Sequence, residues 1–217
     1  LKDALTPTPE DKAAGHTPVK LVVPDDKGQV IDTYYGPAKS GVNEFGWNMT
    51  YAPALALATG KADGGKRRSG PAVLPGTYHV TVTAAGQTQA TDINVRGDPN
   101  LAVAPDVVRE NLAFALELRN RTSAFHDMLN RIRDMHRMLH GYAASVAKND
   151  DASPAAAALA AQAKQLDKTL TELGDSVYNP VIQRDAGDTV HFPGRLNRDL
   201  GSLGNPNPTR PPNATER

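Results

Sequence analysis

The 217-residue chain contains no cysteine. That removes disulfides and thiolate metal sites, and it suits either the cytosol or a large exported bacterial protein that avoids stray thiols. No apolar run approaches the 18 residues or so of a membrane span, so no transmembrane helix is expected. Net charge is lacking too, because 24 Lys and Arg balance 24 Asp and Glu. The balance holds in both halves: residues 1–99 carry seven Lys, three Arg and ten carboxylates, and residues 100–217 carry three Lys, eleven Arg and fourteen carboxylates. A neutral surface has no long-range field with which to steer a polyanion, and nucleic acid is discounted as a partner. The basic run Lys66-Arg67-Arg68 lies among Gly64, Gly65, Ser69 and Gly70. It reads as a solvated loop, since a phosphate-binding patch needs several such groups converging.

Further absences concern chemistry. There is no Gly-x-Ser-x-Gly elbow, P-loop or dinucleotide fingerprint. Many aspartates fall in turns such as Asp25-Asp26 and Asp150-Asp151, where they favour the backbone geometry, and no carboxylate pair for glycoside hydrolysis is identified. The expectation for this chain alone is no catalytic residue and no cofactor. No signal peptide is present, and the polar, Pro-rich start at Leu1 leads to the expectation that a targeting segment was removed or that the chain is an internal piece of something longer. Sequons occur at Asn48, Asn120 and Asn213, a frequency near chance, and no modification is expected.

Two hydropathy patterns divide what is present. From Val19 to Val95, β-branched and aromatic residues alternate between Gly, Pro and Asp turns. Strands are predicted at Val19–Val23, Gln29–Tyr35, Asn43–Met49, Thr77–Ala84 and Gln87–Val95. Pro24–Gly28 and Ala85-Gly86 are turn-rich links suited to antiparallel hairpins. Regularly spaced short strands without intervening helices predict a sandwich or a barrel, and residues 1–99 are expected to form an immunoglobulin-like antiparallel β-sandwich. Residues Thr59–Pro71 read as a loop, and Asp98-Pro99 closes the region.

From Asp106 the period becomes helical. Leu118, Phe125, Ile132, Leu139 and Val146 recur every seven residues, with Met128, Met135 and Tyr142 in the neighbouring row. Pro105 suits the helix start, and Glu117 with Arg121 and Asp127 with Arg131 form i,i+4 pairs. A second helix is predicted with Ser153 as N-cap, Pro154 in its first turn and Gly174 as its stop, carrying a stripe of Leu159, Ala163, Leu166, Leu170 and Leu173. The short link near 148–152 makes the two an antiparallel hairpin. A third short helix near Gly194–Leu203, bringing Leu196, Leu200 and Leu203, is expected to complete a helical module over 100–204, ahead of a Pro- and Asn-rich tail at 205–217. The fold class is therefore α+β and multidomain, a sandwich followed by a helical hairpin or bundle.

His136 and His140 stand at i,i+4, the spacing of helical metal sites, and His126 lies on nearly the same side as His140. No Glu follows the first His, and a third ligand must come from elsewhere. The pair is read as helix face, His140 outward and His136 at the core margin, and no metal is assigned. Trp47, flanked by Phe45 and followed at strand spacing by Met49, is open to two readings: sandwich core, or an exposed aromatic for sugar or protein contact. Tyr34 and Tyr35 join it as candidate ligand or partner contacts.

Several stretches carry a resemblance. These are Val19–Val23 with Asp26–Ile31, Gly41–Met49, Leu74–Val80, Asn179–Gln183 and Phe192–Asn197. They resemble the C-terminal region of large secreted bacterial proteins that begin with a β-propeller of sortilin-like or BNR (Asp-box) repeats, proteins often labelled glycosyl hydrolases or sialidases. The sandwich part is also similar to the immunoglobulin-like fold of flagellar hook-capping proteins. Asn48 departs from the family, which usually places Asp after the Trp. The resemblance implies an exported protein, periplasmic, cell-surface or extracellular, with a propeller upstream, more helix downstream, and Leu1-Lys2-Asp3 as the end of a first strand. It implies that any activity of the parent resides in the propeller, the present chain being a non-catalytic accessory module for packing or assembly. Carbohydrate or surface-polymer binding, and a contribution to a hydrolase site at the propeller boundary through the 59–71 loop, are the alternatives.

Overall fold

The structure is a computed structural model that describes residues 17, 19–25, 27–36, 39, 41–58, 69–84, 86–100, 103–148 and 154–178, with single positions at 196, 211 and 212. The expected first strand, most of the 59–71 loop, the third helix apart from Leu196, and nearly all of the tail lie outside the described residues.

Four strands form one antiparallel sheet: β1 (Val19–Pro24), β2 (Val30–Gly36), β3 (Gly76–Ala84) and β4 (Gln87–Val95), in the order β2-β1-β3-β4. Their limits fall within a residue of the expected ones. The β1–β2 turn is built by Asp25, whose carboxylate accepts the backbone N–H of Lys27 at 2.9 Å and of Gln29 at 2.7 Å. Gly28 supplies the left-handed backbone the turn needs, at φ 77°. In the β3–β4 hairpin Ala84 pairs with Gln87, and Gly86 has φ 73°. Together with the helices the architecture is mixed α+β.

One sheet face is apolar. Leu21, Val23, Tyr78 and Val80 project from it and gather Ile31, Val73, Trp47, Tyr51, Ile93 and Val95 into a core. Its covering comes largely from irregular chain. The strand expected at Asn43–Met49 is not formed, since 42–48 has no ladder pairing. Asn43 is the physical reason: its amide donates to the Lys39 and Gly41 carbonyls and accepts the Lys39 N–H, offering the backbone a local alternative to a sheet partner. Met49 then turns the chain at φ 57°. Only past it does pairing resume, with Tyr51 N–H donating to Pro71 at 2.8 Å and Val73 N–H to Met49 at 3.0 Å.

Helix α1 (Pro105–Lys148) has 44 residues and α2 (Pro154–Val177) has 24, lengths of roughly 66 and 36 Å at 1.5 Å per residue. They pack as a hairpin through Phe125, Leu129, Ile132 and Leu170, joined by Leu57, Leu139, Val177 and Tyr178. Gly174 does not stop α2. The helix runs on, and Tyr178 N–H still donates to the Gly174 carbonyl at 2.9 Å. The absent side chain at 174 faces Ile132, so the glycine is an interior residue of the helix contact. Among the described residues no helix is long and apolar enough to cross a membrane.

Candidate functional site: strap, open face and a histidine cluster

Residues 52–58, Ala-Pro-Ala-Leu-Ala-Leu-Ala, run as a strap along α1. Arg119 donates to the Ala52 carbonyl at 3.2 Å, and Ser123 Oγ accepts the Leu55 N–H at 3.0 Å. His126 Nδ1 lies 2.5 Å from the Leu55 carbonyl, and Asn130 bonds both Ala56 and Ala58. Arg133 closes the series on the Ala58 carbonyl at 2.6 Å. The helix residues are spaced by four, three, four and three, which keeps them on one face. Lengths agree as well, because fourteen helical residues rise roughly 21 Å and six extended residues span roughly 20 Å. Ala52 ties this arrangement to the sheet, its N–H donating to Ile31 of β2 at 3.1 Å. The sheet and the hairpin are thereby joined through hydrogen bonds and the buried side of Leu57.

The opposite flank of the hairpin is open. Leu159, Leu166 and Leu173 are each 50% exposed, although Ala156, Ala163 and Leu170 on the same helix are buried. On α1, Met128, Met135 and Tyr142 are 37%, 38% and 43% exposed. Each set recurs every seven residues, and in both helices it follows the buried row by three positions, Met128 after Phe125 and Leu159 after Ala156, which is the same rotation. In an antiparallel pair equal rotations bring the two rows to one face. The stripe expected on α2 is thus divided, half against α1 and half facing outward.

A histidine cluster sits where the helices meet. His136 Nδ1 lies 2.5 Å from Asp167 Oδ1, and His140 Nε2 lies 3.4 Å from Asp167 Oδ2. The imidazoles stack with centroids 6.5 Å apart. His136 and Asp167 are half-buried, whereas His140 is exposed. Asp167, from α2, is the third group that the α1 sequence could not supply. His126 is held at the strap and does not join the cluster.

The aromatic candidates separate. Trp47 is half-buried, meets Tyr78 edge-on at 5.2 Å, and donates its indole N–H to the Thr50 carbonyl at 3.3 Å. Tyr34 shares that sheet face, meets Phe45 edge-on at 5.0 Å, and donates its hydroxyl to Asn48 at 3.2 Å. Tyr35 projects from the opposite face, beside Lys20 in the β1–β2 register. Asn48 also donates to Ser69 at 2.9 Å and so braces two segments.

The α1 residues that hold the strap carry a signal in the sequence that hydropathy does not weigh: a polar row at 119, 126 and 133 interleaved with 123 and 130. Asp167 has no such signal, because its contact depends on the register of two helices. Comparison with protein-family models, with curated proteins and with solved structures finds no match.

Proposed function

We propose that this chain is a non-catalytic accessory module of an exported protein whose hairpin face packs against the rest of that protein, a β-propeller on the resemblance of its sheet segments. The observation that carries this reading is the open row of Leu159, Leu166 and Leu173 beside Met128, Met135 and Tyr142. Contiguous apolar surface of this kind marks an interaction site, and two helices alone leave one face of a bundle uncovered. The strap suits the role, since it fixes the face relative to the sheet. We also infer that the sheet is one layer of an immunoglobulin-like sandwich, supported by its single apolar face. The indole contacts of Trp47 leave a saccharide little stacking platform there, and we rank carbohydrate binding below packing.

The absence of cysteine provides the test. Leu166→Cys introduces a unique thiol on the face, and Ala158→Cys one on the exposed side of α2. In the present chain both label rapidly with a maleimide. In the parent protein the Cys at 166 is expected to be protected and the Cys at 158 to stay reactive; equal labelling of the 166 thiol in both contexts overturns the proposal.

A further inference from the structure

We propose that His136, His140 and Asp167 form a binding site for a divalent transition-metal cation of the zinc class, clipping α1 to α2. Two imidazoles and one carboxylate suit such ions, which take nitrogen and oxygen donors together. The donor atoms all lie within 4.8 Å of one another. With metal–ligand bonds of roughly 2.0–2.1 Å, tetrahedral donors stand about 3.4 Å apart. His140 Nε2 and Asp167 Oδ2 are already 3.4 Å apart. His136 and Asp167 are closer, hydrogen-bonded at 2.5 Å; an entering ion takes the place of that hydrogen bond and spreads the pair.

The position of the cluster sets the consequence. His136 and His140 are adjacent turns of α1, so they move together, and Asp167 belongs to the other helix. An ion held by all three crosslinks the hairpin beside Leu139 and Leu170, and by favouring the folded state it stabilises the chain by mass action. Three protein ligands leave a fourth position for water on the exposed His140 side. In this chain the role is structural, and it is independent of whether the apolar face meets a partner, since the ligands lie between the helices.

Titration of the full chain with zinc sulfate, read by calorimetry and by thermal unfolding against an EDTA control, tests the site. One equivalent is expected to bind and to raise Tm. His140→Ala removes a ligand whose side chain is 74% exposed, so the fold is retained. It is expected to weaken binding more than about tenfold, since even outer-shell partners are worth that much. His79→Ala, on the sheet, is expected to change neither. Cobalt substituted for zinc is expected to give visible bands of four-coordinate geometry, lost in His140→Ala. Absence of binding at 100 μM zinc, or undiminished binding and Tm gain in His140→Ala, overturns the proposal.

Discussion

Asn130 accepts the backbone N–H of Ala58 at 2.8 Å and returns a hydrogen bond from its own NH2 to the carbonyl of Ala56 at 3.1 Å. A single carboxamide thus treats the strap as a neighbouring strand would, supplying one donor and one acceptor to an extended chain. Six backbone groups of residues 52–58 are met this way by side chains of α1. Beyond Ala52 the chain can leave the sheet and lie against a helix because these polar groups have partners.

Asn130→Ala removes both bonds at once. With each net hydrogen bond worth about 0.5–1.5 kcal/mol and the site half-exposed, the expected loss is about 1–2 kcal/mol in urea unfolding. Amide exchange gives the sharper measurement. The Ala58 N–H should exchange near its unprotected rate, while the amides of β1 and β3 remain slow. Uniform acceleration across the sheet would show instead that the strap and sheet unfold as one unit.

Leu166 and Leu170 are the same residue type one turn apart on α2, and their truncations should differ severalfold in cost. Leu170 is buried among Phe125, Leu129 and Ile132. Leu170→Ala leaves a cavity there and should cost about 2–5 kcal/mol. Leu166→Ala, on the open face, should cost less than about 1 kcal/mol in the chain alone. Comparable losses from the two would mean that the face is already covered by this chain's own residues.

The strands and long helix were legible because their side chains repeat with the period of the structure, two for β3 and seven for the Phe125 row. The 43–49 segment alternates as a strand does, yet Asn43 spends its side chain on the local backbone, a competition that hydropathy does not register. The strap left a different trace, polar residues in a helical row, whose meaning depends on a backbone seventy positions earlier. For the histidine pair, the sequence contains the i,i+4 spacing but not the partner, since Asp167 meets it only through the packing of α2. Glycine occurs both at helix ends and within helices, and composition does not distinguish the two at Gly174.

Gly70 tests how closely the two halves of the chain are joined. A Cβ there would fall 2.3 Å from the Tyr51 carbonyl oxygen and 2.5 Å from that of Ala52, both backbone atoms that cannot swing aside. Gly70→Ala should therefore cost at least about 2 kcal/mol, in the range of overpacking substitutions. Because the Ala52 oxygen also accepts from Arg119, the clash should loosen the strap as well, seen as faster exchange of the Leu55 amide. A neutral Gly70→Ala would contradict the pairing of 49–52 with 71–73.

Gly174→Ala has a sign that depends on where α2 ends. If glycine stopped the helix in a left-handed conformation, alanine there would be strained and would destabilise the chain. In the structure Gly174 is helical, and an added Cβ would meet Ile132 Cγ2 at 4.0 Å, an ordinary contact. Alanine should then lower the conformational entropy of the unfolded chain without a clash and stabilise by about 0.5–1 kcal/mol. Gly141, inside α1 with open space around it, should behave likewise and serves as the reference. A positive shift in urea midpoint for both variants places Gly174 within the helix. A gain at 141 with a loss at 174 would return the end of α2 to the glycine, and would withdraw the contact between Tyr178 and the hairpin core that the longer helix provides.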